Sequence, residues 1–598
     1  MPDPAPVLDP VQLLVMANRV DGITREMTNT LVRTCRSTTQ LARDFSTSIC
    51  TAQAELLTAP EGIPCHVYGS GLLCEAMADL HPDFQEGDAF LHNDPYLGNT
   101  HAADHTILVP VFWEGEHVFT CCVKAHQADC GNALPTTYMP TATDVYAEGA
   151  LIFPCVKVQE GYQDVGDIIR MCQKRIRVPA IWYGDYLSQI AAARVGEQRL
   201  KDFCRKYGLE RVKAYVREWM DYCERLCADQ IAALPSGRVH ASTALDPFPN
   251  LPDGIPLQAD IDIDADGGGV TVDLRDNPDA TRTGLNLSQS TAINSGVAAV
   301  LAVINSKRDA KHTIVPNNAG TFRRIKVLVR ENCVVGIPRH PTSCSVATNT
   351  VSDRVIGMIE AAFAQIRDGI GMAEPCWGSP PFQGVVSGFN RARQEPFVLQ
   401  LFSGTAGGPA TFESDGWLTF LLSNGNGLSY IDETEVVEQK YPFVTWEKRV
   451  RPDSEGAGRT RGAPGNVSSF GPVPGEAPIW VHYFLDGRVN APRGVRRGGG
   501  AAGPDALLRH PDGGLEELPS VVGEQSVEPG QRIISLSAGG GGYGDPHLRD
   551  PQAVLGDVVE GYISADRAHA VYGVALSGDP AKVETLRIDE AATAALRA

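Results

Sequence analysis

At 598 residues the chain is long enough for several domains, and 43% hydrophobic with 21% charged residues is the balance of a globular protein. A net charge of −20 argues against nucleic-acid binding, which needs clustered Lys and Arg, and is the wrong sign for an anionic membrane surface. The fifteen cysteines are odd in number and form no Cys-x-x-Cys pair, as in a reducing cytoplasm rather than in a disulfide framework.

The opening Met1-Pro-Asp-Pro-Ala-Pro has no basic region followed by an apolar core, so no signal peptide is expected. No apolar run approaches the roughly 18 residues of a spanning helix. Residues 9–35 carry helical spacing, with Val11, Leu14, Val15, Ala17, Val20, Ile23, Met27, Leu31 and Val32 as the apolar face. Arg43-Asp44-Phe45-Ser46 leads into a strand. Residues 60–160 mix strands and loops. Residues 164–235 are helical and end at Leu234-Pro-Ser-Gly237. Residues 256–275 alternate about Asp264-Ala-Asp-Gly-Gly268 and predict a hairpin, and 290–306 and 351–368 predict helices. From about 374 Gly and Pro become dense and strands short. Residues 551–574 and 580–598 are again helical in pattern. The expected fold is α+β and multi-domain. It has an N-terminal mixed α/β metal-binding region with a helical block (1–240), a central α/β region (241–373), a β-rich Gly/Pro-dense region (374–550) and a C-terminal helical segment (551–598).

The strongest chemical signal lies within residues 92–131. Thr106–Trp113 and His117–Ala125 are apolar strand sequences around Glu114-Gly115-Glu116. A two-residue turn at Glu114-Gly115 sets Trp113 against Glu116 and, counted back, Asp104 opposite Ala125. Facing residues in such a ladder are about 5 Å apart. The pairing therefore gathers His101 and Asp104 with His126 and Asp129, the same His-x-x-Asp pattern twice. Two nitrogen and two oxygen donors suit a divalent ion such as Zn or Mn. The same four residues would also serve as a hydrogen-bonded polar cluster closing the hairpin. His92, His105 and His117 lie near, and His117 has the register of a structural residue. Cys130, next to Asp129, is a lone cysteine and a weak nucleophile candidate. The Gly539-Gly-Gly-Gly-Tyr-Gly-Asp-Pro run lacks the Gly-Lys-Ser/Thr of a phosphate loop and reads as a close approach of backbones. The chain shows no Rossmann fingerprint and no Gly-x-Ser-x-Gly elbow.

Many pieces in order resemble the hydantoinase B/oxoprolinase family. They are Arg43-Asp44-Phe45-Ser46, His66 to Ser70, Asn93-Asp-Pro-Tyr96 with Thr100-His101-x-x-Asp104, and Ala125-His126-x-Ala128-Asp129-x-Gly131. Further along come Glu148-Gly149, Pro316-Asn-x-Ala-Gly320, Tyr441-Pro442, Gly540 to Pro546 and Asp557 to Gly561. Two places depart from the family pattern: Gln127 stands where a second His is usual, and Asp129-Cys-Gly-Asn132 replaces Asp-x-Gly-Gly. Arg175-Ile-Arg-Val-Pro-x-x-Trp182-Tyr-Gly-Asp185 is similar to the ketone-carboxylase branch.

The resemblance implies a B-type subunit of an ATP-dependent cyclic-amide hydrolase of the hydantoinase or 5-oxoprolinase kind. ATP would be bound by a separate A-type partner in a hetero-oligomer. It implies a divalent metal at His101, Asp104, His126 and Asp129, with Asp44 or Asp129 as general base. The alternatives are a subunit of an acetone- or acetophenone-type carboxylase, and a non-catalytic metal-stabilised scaffold for the ATP-binding subunit.

Overall fold

The computed structural model describes residues 8–306, 313–375, 378–425 and 429–598, so the Met1–Pro6 stretch lies outside the described residues. The first helix, Pro10–Thr34, is capped by Asp9, whose carboxylate accepts from the Val11 and Gln12 amides. Its buried stripe runs Leu13, Met16, Ala17, Val20, Ile23, Met27 and Leu31. Val11, Leu14 and Val15 were expected on that face but are 70%, 46% and 48% exposed. The true stripe keeps a 3.6-residue period right to its first turn, where Leu13 and Met16 take the inward positions.

Seven strands form the sheet that carries the chemistry: β1 Phe45–Thr51, β2 Leu56–Thr58, β3 Ala89–His92, β4 Asp104–Trp113, β5 Glu116–His126, β6 Val156–Glu160 and β7 Gln163–Asp164. Their spatial order is β2-β1-β5-β4-β3-β6-β7, and every pairing is antiparallel. Alternation gives the sheet two unlike faces. Ile49, Ile107, Val109, Phe119, Cys121 and Val123 pack against the first helix and the long helix Pro179–Tyr207. On the other face Cys50, Phe90, Leu108 and Cys122 pack beneath helix Ser70–Leu80. The helical block at 164–235 resolves into Gly166–Arg175, Pro179–Tyr207 and Leu209–Ile231.

A four-stranded sheet follows: β8 Gly237–Leu245, β9 Ile255–Asp264, β10 Gly269–Asp273 and β11 Ile325–Leu328. The expected hairpin is present, with Asp264 opposite Gly269. Helices Gln289–Ile304 and Val351–Ile366 pack on this sheet to make the largest apolar core. Residues 378–536 supply two five-stranded sheets, which are the β-rich region expected from composition. The run Gly539–Gly542 lies between crossing chains. A Cβ on Gly540 would come within 1.9 Å of the Gly408 carbonyl, and one on Gly541 within 2.2 Å of the Arg493 carbonyl. The run is therefore a backbone crossing and not a phosphate loop.

The chain ends in helices Pro551–Val559, Ala565–Tyr572 and Glu590–Arg597. Residues 580–589, expected as helix, instead hold a single 3-10 turn and a two-residue strand, Arg587–Ile588, paired with Leu576–Ser577. Among the described residues no helix is long and apolar enough to cross a membrane.

Candidate metal centre

The β4–β5 hairpin turns at Glu114 and Gly115, both with positive φ (52° and 83°), and Trp113 faces Glu116 as the two-residue turn requires. The ladder then slips. Phe112 pairs with His117 but Val111 pairs with Phe119, leaving Val118 as a bulge. From there to the open end the register is one residue off the simple count. Asp104 stands opposite His126, not Ala125. The bulge thus seats the carboxylate and the imidazole directly against each other.

Four elements converge on Asp104. His101 Nε2 lies 3.0 Å and His126 Nδ1 3.1 Å from Asp104 Oδ1, while His66 Nε2 lies 3.0 Å from Oδ2. Thr100 donates its hydroxyl to Oδ2. Asn99 fixes the loop that bears His101, its amide donating to the carbonyls of His101 (2.8 Å) and Asp104 (2.9 Å). His66 comes from the short helix Pro64–Val67. Asp44, just ahead of β1, is tied in by the His126 amide donating to its carbonyl, and its Oδ1 is 4.0 Å from His66 Nε2. Tyr138 stacks on both His101 and His126, with centroids 5.7 and 5.4 Å away, and its hydroxyl accepts from Gln400 of the β-rich region. The side chains of His66, His101, Asp104 and His126 are at most 2% exposed, while Asp44 keeps 12%. Asp44 is therefore the most exposed side chain of the group.

The protons are largely dictated by partners. His101 Nδ1 is 2.8 Å from the Ser345 carbonyl, which can only accept, so that nitrogen carries hydrogen. Its other nitrogen, Nε2, faces the Asp104 carboxylate at 3.0 Å. Such an arrangement requires a positive charge between the two atoms, either a proton or a cation. Outward partners are also present. His126 Nε2 sits 3.0 Å from the Thr137 hydroxyl, the kind of orienting bond that ligating histidines have.

The electrostatics agree. Burial pushes Asp104 up, but His101 and His66 outweigh it and hold the carboxyl well below its ordinary range. Burial pushes His101 down, yet Asp104 wins and leaves it raised. Burial lowers His66, and lowers His126 to about 4. Asp44 is pushed up to about 8 by burial and by the Asp104 charge. His101, Asp104 and His126 offer ligand atoms within 4.8 Å of one another, so the donor set fits a divalent ion of the nitrogen–oxygen class.

The structure brings together three of the four residues expected as ligands. Asp129 goes elsewhere. Its carboxylate is held by the Arg177 amide (2.6 Å), the Arg177 guanidinium (3.0 Å) and the Gly131 amide (3.4 Å). A carboxylate so clasped is a fixed anion and is not turned toward the histidines. In its place stands His66, which the hairpin count could not supply because it belongs to another element. Its only sequence signal was its membership of the resembling His66 to Ser70 piece.

The neighbouring candidates are occupied otherwise. His92 Nδ1 accepts from the Asp94 amide, His105 Nδ1 accepts from the Trp182 indole, and His117 meets Thr120. The Cys130 thiol is raised well above its ordinary value by burial and Asp129, which removes the thiolate a nucleophile needs. Gln127 does not face the histidines. It bonds the Ala125 carbonyl and Gln189 of helix Pro179–Tyr207, on the other side of the sheet.

A multi-sheet α+β chain with a buried His/Asp centre at one hairpin end defines a class that comparison with known proteins makes specific. Residues 9–546 match the hydantoinase B/oxoprolinase family, and the chain belongs to that family. It is 29% identical to the caprolactamase subunit beta of Pseudomonas jessenii, over 99% of each chain. The crystal structure of the ATP-dependent caprolactamase from that organism superposes with a TM-score of 0.88 at 26% identity, covering 99% of this chain and 100% of that one. A nucleotide-free acetone carboxylase structure shares the fold, with a TM-score of 0.87 at 18% identity over 98% of this chain and 82% of that one.

Proposed function

We propose that this chain is the B-type subunit of an ATP-dependent hydrolase of cyclic amides. In this reading His66, His101, Asp104 and His126 hold a divalent ion. An A-type partner subunit binds ATP and activates the amide by phosphorylation. The observation that carries the reading is the convergence of His101, Asp104 and His126, whose ligand atoms lie within 4.8 Å of one another in the buried interior. Support comes from the full-length likeness to a caprolactamase subunit.

When bound, the ion supplies Lewis-acid polarisation and a lowered pKa for water. The chain's own residues do the rest. Thr100 and the three histidines fix Asp104 as a permanent anion. Ser345 and Thr137 fix the rings of His101 and His126. Asp44 sits beside the centre, 4.0 Å from His66, with its carboxyl pushed up to about 8. A carboxyl in that range takes a proton from water and returns it to a leaving amine near neutral pH. Asp44 is thus the proton carrier, and Asp129 is a positioning anion for Arg177. Tyr138 and its neighbours keep the centre dry.

The test is the complex assembled with its ATP-binding partner and given ATP with caprolactam, 5-oxoproline or a hydantoin. Ring opening coupled to ATP hydrolysis is the expected result. Incorporation of bicarbonate into acetone or acetophenone without ring opening would move the chain to the carboxylase branch, in keeping with the Arg175–Asp185 segment. Full activity of His101→Ala and His126→Ala complexes would leave only the scaffold role.

A further inference from the structure

A second group of ligating side chains lies on the same sheet face, beyond Lys124. Cys50 on β1, Cys122 on β5 and Cys74 on helix Ser70–Leu80 place their sulfurs within 4.8 Å of one another, and Cys74 Sγ is 3.6 Å from Cys122 Sγ. Cys50, Cys74 and Cys122 are all buried, at 0%, 4% and 2% exposure. The register explains the meeting. Ser48 faces Cys122 and Cys50 faces Thr120, so Cys50 and Cys122 are diagonal neighbours on one face, and the helix lays Cys74 over them. The walls are apolar: Leu56, Leu73, Met77, Phe90 and Leu108. The hydroxyl of Ser48, which lies 3.0 Å from Ser70 Oγ, bonds the Cys122 sulfur, and that of Thr120 bonds the Cys74 sulfur.

One further atom points to an anion there. Lys124 is two residues along β5 from Cys122 and so on the same face, fully inside the protein, and its Nζ has no hydrogen-bond partner among the described residues. A buried ammonium needs a counter-charge. Three groups interact with it: Asp104, already surrounded by three histidines, and the thiol groups of Cys65 and Cys122. Three thiolates around a divalent ion carry one net negative charge, which one ammonium balances.

We infer that Cys50, Cys74 and Cys122 form a second metal site, selective for a soft, thiophilic divalent ion of the zinc and cadmium class and distinct from the His/Asp centre. Sulfur ligation in an apolar pocket selects such ions, whereas the nitrogen–oxygen centre at Asp104 does not. Binding replaces three S–H bonds by three metal–sulfur bonds and releases three protons to solvent, with no change of oxidation state. The Ser48 and Thr120 hydroxyls complete the polar shell, and Lys124 stands between the two sites, so that their occupancies are electrostatically linked. The inference is independent of the reaction proposed above.

The test uses the full chain, purified reduced and stripped of metal, then titrated with Cd(II). The expected result is an ultraviolet thiolate-to-cadmium charge-transfer band that saturates at one ion per chain, with three sulfur neighbours by X-ray absorption. The band should persist in His101→Ala, which disables the other centre, and vanish in Cys50→Ser/Cys122→Ser. Lys124→Met should weaken Cd(II) binding about tenfold, the lower end of what loss of a supporting partner does to a metal site. Should the cysteine variants fail to fold, the wild-type titration decides alone. Absence of the band at saturating Cd(II), or a sulfur count below three, overturns the inference, as does a band that survives the double substitution.

Discussion

The two His-x-x-Asp repeats start from one pattern and end in different chemistry. In the first, both residues reach the centre: His101 through a loop held by Asn99, and Asp104 through the first position of β4. In the second, His126 closes β5 opposite Asp104, but the chain leaves the ladder at once and Asp129 swings to Arg177. Both carboxylates are fully buried. One is balanced by imidazoles, which can give up their protons and bind an ion. The other is balanced by a guanidinium, which keeps its charge at all working pH values. Identical residue types at identical spacing do not make identical sites; the partner that the rest of the fold delivers makes the site.

The largest effect should come from breaking the first repeat. Asp104→Ala removes the anion to which three histidines point, and should lower divalent-metal affinity at least about a hundredfold, beyond the usual consequence of losing an outer partner. Turnover of the assembled complex should fall with it. Metal content after dialysis and the rate of ring opening are the two measurements. An Asp104→Ala protein that keeps both would mean that the cluster is a polar cap and not a metal centre.

Breaking the second repeat should do something else. Asp129→Asn leaves the Arg177 guanidinium without its carboxylate, though Arg177 still donates to the Asn132 and Ala133 carbonyls and is 30% exposed. Loss of one partner of a buried pair costs about 3–5 kcal/mol, and solvent at Arg177 reduces this to about 2 or 3. The expected variant is less stable in urea yet retains its metal. Loss of metal with unchanged stability would put Asp129 back among the ligands.

How much of this was legible in the sequence follows from where the partners come from. The hairpin, its two-residue turn and the pairing of residues near 104 with residues near 126 are local, and Glu114-Gly115 announces them. The Val118 bulge is invisible, because an extra residue in an apolar strand leaves no mark on hydrophobicity. His66 and Arg177 were missed as partners for a further reason: each arrives from an element separated in sequence, the latter 48 residues from Asp129. Family resemblance singled out Asp44 and flagged His66 without giving them a place. It could not explain Gln127, whose position becomes plain once Gln189 is seen on the facing helix. The three cysteines are the extreme case, since strands and a helix from three stretches of chain meet only in the folded sheet.

A third buried carboxylate sharpens the comparison, because burial and a like charge, rather than a cation, set its titration. Glu360, on helix Val351–Ile366, is 4% exposed, and burial together with the charge of Asp353 raises its pKa from an ordinary 4.5 to about 8. Asp353 is itself raised to about 7 by burial. Glu360 therefore stays protonated in the fold where the unfolded chain has already ionised. A group raised in this way stabilises the folded state fully only below its unfolded value, and the contribution is lost as pH climbs toward 8. The loss is at most about 1.4 kcal/mol per pH unit. Glu360→Gln imitates the protonated acid and removes the dependence, so the variant should gain about 2 kcal/mol on the wild type between about pH 5.5 and 7.5, read from urea midpoints at the two values. Asp104 has the opposite sign: its carboxyl is depressed, so its contribution is present above the ordinary Asp range and lost on acidification. Parallel curves for Glu360→Gln and wild type would show that Glu360 ionises freely, and a buried carboxylate in this protein would then need no partner at all.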